Sequence, residues 1–154
     1  MSRREPTDVE TLLRQRHAGR TVLVAEDNEV NREIASAMLM AVGLRVDTAV
    51  DGQQALLKAT AGIYDLVLMD MQMPGMDGLE ATREIRQLPD WDQVPIIALT
   101  ANVFDGDRQA CEASGMNDFI AKPMVAESLY TGLLTWLDRR AAGGFATGLD
   151  ASLP

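Results

Sequence analysis

The residues of this chain best suited to chemistry stand at the ends of short apolar runs. Asp70 closes the run Tyr64-Asp65-Leu66-Val67-Leu68-Met69 and opens a Pro/Gly-rich stretch, Met71-Gln72-Met73-Pro74-Gly75-Met76-Asp77-Gly78. Glu26-Asp27 follows Thr21-Val22-Leu23-Val24-Ala25, Thr100 follows Val94-Pro95-Ile96-Ile97-Ala98-Leu99, and Lys122-Pro123 follows Asp118-Phe119-Ile120-Ala121. In open α/β sheets, ligands and reacting groups collect at the carboxyl ends of the strands. Three carboxylates brought to one point repel each other, and a hard divalent cation such as Mg²⁺ relieves the repulsion through oxygen ligands. A carboxylate is normally ionised near neutral pH, so it can attack phosphorus without a general base. Its difficulty is that it must attack an anion. A metal, an ammonium and a hydroxyl reduce that cost by stabilising the equatorial oxygens of the transferring group. The set therefore points to metal-assisted phosphoryl transfer through an aspartyl phosphate, with Thr100 and Lys122 holding phosphoryl oxygens.

These groups meet only if the runs are strands of one sheet. From residue 21 the pattern alternates strand and helix five times. Asn28 is a suitable N-cap for the first helix of the alternation, in which Val30, Ile34, Met38 and Ala41 recur at helical spacing and Gly43 marks the stop. A weaker strand spans 44–49, and Asp51-Gly52 turns into a helix around Ala55, Leu56 and Ala59. Helices follow over 78–88, 105–114 and 125–140, the last with Leu129, Leu133, Trp136 and Leu137 on one face. This (βα)₅ alternation predicts a single α/β domain: a doubly wound parallel sheet of order 2-1-3-4-5, flavodoxin-like, with helices on both faces. Right-handed crossovers put every strand's C-terminal end on one edge. The switch point lies between the first and third strands, which end in Glu26-Asp27 and Asp70.

Composition narrows the class. The chain has 154 residues, of which 47% are apolar, and a formal net charge of −9, which argues against a nucleic-acid surface. A single cysteine, Cys111, excludes an internal disulfide and reads as a small core or boundary residue. No apolar run is long enough to span a membrane and no secretory signal is present, so the expected location is cytoplasmic. Residues 1–20 read as an arm or linker with a short helix through Val9, Leu12 and Leu13. Residues 21–140 read as the domain and 141–154 as a flexible tail. His17, the only histidine, reads as solvated, and Trp91 as a partly buried surface-loop aromatic. The methionines at 69, 71, 73 and 76 read as packing residues, not as a soft-metal site.

Glu26-Asp27, Asp70 with Met73-Pro74-Gly75-Met76-Asp77-Gly78, Thr100-Ala101 and Lys122-Pro123 together resemble the receiver domain of two-component response regulators, over about residues 20–140. The wording Val24-Ala25-Glu26-Asp27-Asn28-Glu29-Val30-Asn31 is similar to receivers attached to hybrid sensor histidine kinases. The resemblance implies that Asp70 accepts phosphate from a phosphohistidine. Asp27, Asp70 and the Gln72 backbone carbonyl would hold Mg²⁺, with Glu26 acting through water. It implies a cis Lys122–Pro123 bond and a switch in which Thr100 and the aromatic Phe119 reshape the face of the fourth helix, fifth strand and fifth helix of the alternation. Phe119 lacks the hydroxyl of a tyrosine, and Glu26 stands where many members have aspartate. Gln72 and Asn102 occupy the positions that tune phosphoryl lifetime in the family. The implied partners are a histidine kinase or a histidine-phosphotransfer protein, and the implied role is a signalling module, not a metabolic enzyme. Homodimerisation through the fourth-helix face is left open.

The rival readings make different demands. A flavin-binding relative of the same architecture would need a phosphate cradle at the first strand–helix turn, where this chain has Glu26-Asp27. An aspartyl phosphatase would carry a second acid two residues after the nucleophile, where this chain has Gln72. A degenerate receiver, acting as a phosphorylation-independent interaction module, is the remaining alternative.

Overall fold

The structure, a computed structural model, describes residues 8–101 and 105–142; Asn102, the first seven residues and most of the C-terminal segment lie outside the described residues. Five strands, β1 (Thr21–Ala25), β2 (Arg45–Ala49), β3 (Leu66–Asp70), β4 (Ile96–Thr100) and β5 (Asp118–Ala121), form one parallel sheet of order β2-β1-β3-β4-β5. The helices are α1 (Asp8–His17), α2 (Glu29–Ala41), α3 (Gly52–Ala61), α4 (Gly78–Arg86), α5 (Asp105–Ser114) and α6 (Ala126–Ala141). Parallel strands covered on both faces read as continuous apolar runs, and β3 and β4 are buried at every residue. Alternation divides their side chains between two cores. Val22, Val24, Leu66, Leu68, Ile97 and Leu99 join Leu39, Leu129 and Leu133 in one cluster. Leu23, Ala25, Val67, Met69, Ile96 and Ala98 join Ala55, Ala81 and Ile85 in the other.

Helix starts are fixed by side-chain oxygens that accept otherwise unpaired backbone N–H groups. Asn28 accepts from Asn31, Asp51 from Gln54 and Asp77 from Glu80. Gly43, with φ of 86°, ends α2 in the left-handed region that favours glycine.

The structure decides one point that spacing leaves open and corrects the expectations for His17 and Trp91. Helix α2 carries two apolar rows, and the sheet takes Ala35 and Leu39, continued by Val42, while Val30 and Ile34 remain 63% and 46% exposed. Spacing alone does not choose between two rows of equal period. His17 is not solvated: it is 2% exposed, and its Nε2 lies 2.7 Å from Asp138 Oδ1 on α6. Arg20 Nε donates to His17 Nδ1 over 3.0 Å, so Nε2 carries the hydrogen donated to Asp138 when the ring is neutral. Trp91 is 2% exposed, and its indole N–H donates to the Ala59 carbonyl at the end of α3.

Among the described residues, Arg14, Arg16 and Arg20 are engaged within the fold. Helix α1 packs against α6 and buries Leu13 in the first core, while the Arg14 guanidinium donates to the Ala41 carbonyl at the end of α2. Arg86 at the end of α4 is a hub that the sequence did not reveal. It donates to the carbonyls of Trp91, Val94 and Gly115 and to the Asn117 side chain, so one guanidinium fastens the segments leading into β4 and β5. Its burial lowers the guanidinium pKa to about 10, against an opposing pull from Asp92.

Candidate functional site

At the C-terminal edge of the sheet, Glu26 and Asp27 after β1, Asp70 at the end of β3, Thr100 at the end of β4 and Lys122 after β5 line one cavity of about 200 Å³. Asn28, Asn31, Met71, Gln72 and Ala101 complete its wall. Glu26, Asp70 and Thr100 are 1%, 3% and 5% exposed, whereas Asp27 faces solvent, so the cavity has a buried floor and an acidic lip.

Glu26 and Asp70 are held by local backbone. Glu26 N–H donates to Ala49 O on β2, and its Oε2 accepts from the Asn28 N–H at 3.2 Å. Asp70 Oδ1 accepts from the Gln72 N–H, also at 3.2 Å. Arg32, one turn into α2, donates to the Glu26 carbonyl at 3.0 Å and steadies the Glu26-Asp27 turn. In the sequence, Arg32 carries no signal for this contact beyond its place after the N-cap. Gly78 shows why the loop ends in glycine: a Cβ there would collide with the Asp70 carbonyl, so α4 starts against the backbone of β3.

The electrostatics are unbalanced. Lys122 Nζ lies 2.9 Å from Glu26 Oε1 and 3.1 Å from Asp70 Oδ1, one ammonium against three carboxylates. Burial pushes the Glu26 carboxyl above its ordinary value; Lys122 opposes that rise and Asp70 adds to it. Burial alone would lower the Lys122 ammonium, but its pairing with Glu26 and Asp70 outweighs this and holds it above its usual value. One oxygen each from Glu26, Asp27 and Asp70 lie within 4.8 Å of one another. Glu26 Oε1 is buried and has the Lys122 ammonium as its partner. Converging carboxylate oxygens and surplus negative charge together suit a hard divalent cation.

The peptide between Lys122 and Pro123 is cis, and the Lys122 N–H donates to Thr100 O at 2.8 Å, tying the two strand ends together. Phe119 lies outside the cavity, half-buried on β5.

Residues 22–133 match the family model of the response regulator receiver domain. The chain belongs to the receiver-domain family. Among curated relatives of this receiver, the signal transduction histidine-protein kinase BarA of Escherichia coli K12 is 39% identical over 116 residues, covering 75% of this chain and 13% of BarA. Hybrid signal transduction histidine kinase L of Dictyostelium discoideum is 45% identical over 112 residues, 67% of this chain and 6% of that protein. The chain thus spans a small part of the length of these relatives. The receiver domain of sensor histidine kinase PA1611 from Pseudomonas aeruginosa PAO1, with a magnesium ion coordinated in its active-site cleft, is similar at 46% identity. The match has a TM-score of 0.74 and covers 79% of this chain and 99% of that one. The receiver domain of Saccharomyces cerevisiae Ssk1, solved with the histidine phosphotransfer protein Ypd1, gives 30% identity and a TM-score of 0.73 over 80% of this chain and 92% of that one. Among the described residues, no helix is long and apolar enough to cross a membrane.

Proposed function

We propose that this receiver accepts a phosphoryl group from a phosphohistidine onto Asp70 within a cytoplasmic two-component phosphorelay. The observation that carries the reading is the convergence of Asp70, Lys122, Thr100 and the Glu26–Asp27 pair on one small cavity. An Asp70 carboxylate oxygen forms the new P–O bond as the P–N bond of the donor breaks. The electron pair returns to the imidazole nitrogen, which takes a proton from solvent. Lys122 and Thr100 hold the phosphoryl oxygens, and the fixed ammonium offsets the charge that builds there. Glu26, Asp27, Asp70 and the Gln72 carbonyl are the groups that would hold Mg²⁺, which when bound supplies positive charge to carboxylates and phosphoryl group alike. The same groups assist hydrolysis of the acyl phosphate, so the chain helps catalyse its own phosphorylation and dephosphorylation while acting as a signalling module.

The partner is a histidine kinase or a histidine-phosphotransfer protein. Next to the acceptor, an apolar hollow of about 350 Å³ is lined by Asn31, Ile34, Ala101, Lys122, Pro123 and Met124. Val30, Ile34 and Val125 remain 63%, 46% and 57% exposed beside the site. An apolar rim of this kind supports docking of a helical donor that presents its histidine to Asp70. Phosphorylation would draw Thr100 toward the phosphoryl group, let Phe119 turn inward, and reshape the face of α5, β5 and α6.

Incubation with Mg²⁺ and acetyl phosphate, followed by intact mass measurement beside Asp70→Asn, tests the acceptor. One added phosphoryl group in the wild type alone is the expected result. Equal addition to the variant refutes Asp70, and no addition to either favours the degenerate, phosphorylation-independent receiver.

A further inference from the structure

On the flank of the sheet, away from the acidic cavity, the guanidinium carbon of Arg108 lies 4.4 Å from the centroid of the Phe119 ring. Arg108 comes from α5 and is exposed, and Phe119 comes from β5 and packs in part against the second core cluster. Phe119 pairs in register with Ala98 on β4. Alternation places Ala98 and Thr100 on one sheet face, so the ring shares the face of the hydroxyl proposed to bind the phosphoryl group. A hollow of about 270 Å³ opens between Arg108, Glu112, Asp118 and the ring.

The acid beside Phe119 in the chain is already engaged. Asp118 Oδ1 accepts from the Phe119 N–H at 2.8 Å, and Oδ2 accepts from the Trp136 indole N–H at 2.9 Å. The guanidinium therefore rests on the ring face, where the π quadrupole attracts a cation and a planar head group stacks well.

We propose that Arg108 is a positioning residue that sets the resting orientation of Phe119 and with it the threshold of the surface change. The inference rests on the switch described under the proposed function and adds a residue to it. A tyrosine ring can be held in place through its hydroxyl; a phenylalanine ring cannot, so its orientation follows from packing and from what lies on its face. In the switch proposed above, turning Phe119 inward would take the ring from beneath Arg108. Loss of one exposed cation–π contact alters the outward-to-inward ratio by about two- to five-fold. Phosphorylation must overcome that same factor, because a two-state element shifts only by differential stabilisation.

The test uses the whole chain labelled with 4-fluorophenylalanine, the Phe119 resonance being assigned by its loss in Phe119→Leu. Beryllofluoride with Mg²⁺ serves as the phosphoryl mimic, and the rate of phosphorylation by acetyl phosphate is a second readout remote from the ring. In Arg108→Met, which keeps length but not charge, the resting resonance is expected to move toward the mimic-bound position, with a rate increase of about two- to five-fold. Arg108→Lys, which keeps the cation, should stay near wild type. If the wild-type ring responds to bound mimic while Arg108→Met matches wild type in both resting resonance and rate, the Arg108 assignment falls alone. If the wild-type ring does not respond to bound mimic, the switch reading falls and takes this inference with it.

Discussion

Asp65 and Asp70 bracket the same strand, one immediately before β3 and one at its last residue, yet their surroundings differ in kind. Asp65 accepts from the Thr21 N–H at 2.9 Å and stands 3.8 Å from an Arg20 nitrogen and 3.5 Å from Arg140 Nε, so cations outnumber it. Close by, Arg16 and His17 both bind Asp138 over 2.7 Å. At the other end of β3, Asp70 shares one lysine with Glu26 and stands near Asp27 as well. The N-terminal edge completes its charges internally, with partners from α1, α6 and the start of β1. The C-terminal edge leaves negative charge for an incoming group to complete. The first arrangement holds a fold together, and the second leaves charge that a bound cation would complete, which is what a binding site requires.

Exchanging the two aspartates' fates is the largest test of that contrast. Asp70→Asn is expected to abolish phosphorylation while the chain stays folded, measured by intact mass and circular dichroism. Asp65→Ala should still be phosphorylated but lose about 1–3 kcal/mol of stability in urea, because the Thr21 N–H and Arg140 lose their acceptor and Arg20 its counter-charge. Loss of phosphorylation in Asp65→Ala at a temperature where it is folded would break the division.

Lys122→Ala separates holding a phosphoryl group from holding a metal. Mg²⁺ affinity, followed by titration calorimetry, should be kept or raised, since a competing cation is removed. The gain in partner affinity on phosphorylation should be lost. A phosphorylated variant that gains affinity as fully as wild type would refute the coupling role.

Leu13→Ala sharpens the other side. Leu13 is fully buried in the first core, and its truncation should cost about 2–5 kcal/mol with little change in phosphorylation rate. A loss within about 0.5 kcal/mol, the usual range for surface positions, would make α1 an accessory and not part of the packed unit.

The smallest effects lie in pH. Glu26 is raised by burial, so between the ordinary carboxylate range and its raised value the folded state binds more protons than the unfolded one. Its contribution to stability therefore falls as pH rises through that window. Asp47 runs the other way. Burial would raise it, but hydrogen bonds from Lys58 and Tyr64 outweigh that and lower it, so its contribution is present above pH 3.8 and lost as pH falls through the lowered value. Melting temperatures of Glu26→Gln and Asp47→Asn against wild type, in buffer free of divalent cations, should therefore differ with opposite pH slopes. Slopes of the same sign would remove the contrast.

The elements were legible because each carried its own local signal. Apolar runs of strand length ended in polar residues, Asn28 stood before a helical period, and Gly43 stood after it. The meeting of Glu26, Asp27, Asp70, Thr100 and Lys122 was legible too, since right-handed parallel crossovers leave the strand ends only one edge to share. Arg86, Arg108 and the burial of His17 and Trp91 were not. Their partners are Gly115 and Asn117, Phe119, Asp138 and Ala59, and no residue pattern declares a hydrogen bond or ring contact to a distant segment.

The sequence by itself determined the alternation, the sheet order it implies and the residue types available at the strand ends, because periodicity and chain chirality act over a few residues at a time. Only the tertiary structure decided which apolar row of α2 faces the sheet, leaving Val30 and Ile34 to solvent beside the site. It also decided that Lys122 reaches Glu26 and Asp70 together and that Arg108 rests on Phe119. Those outcomes depend on how elements far apart in the chain pack against one another, where the winning contact is the one that fills space and satisfies charge.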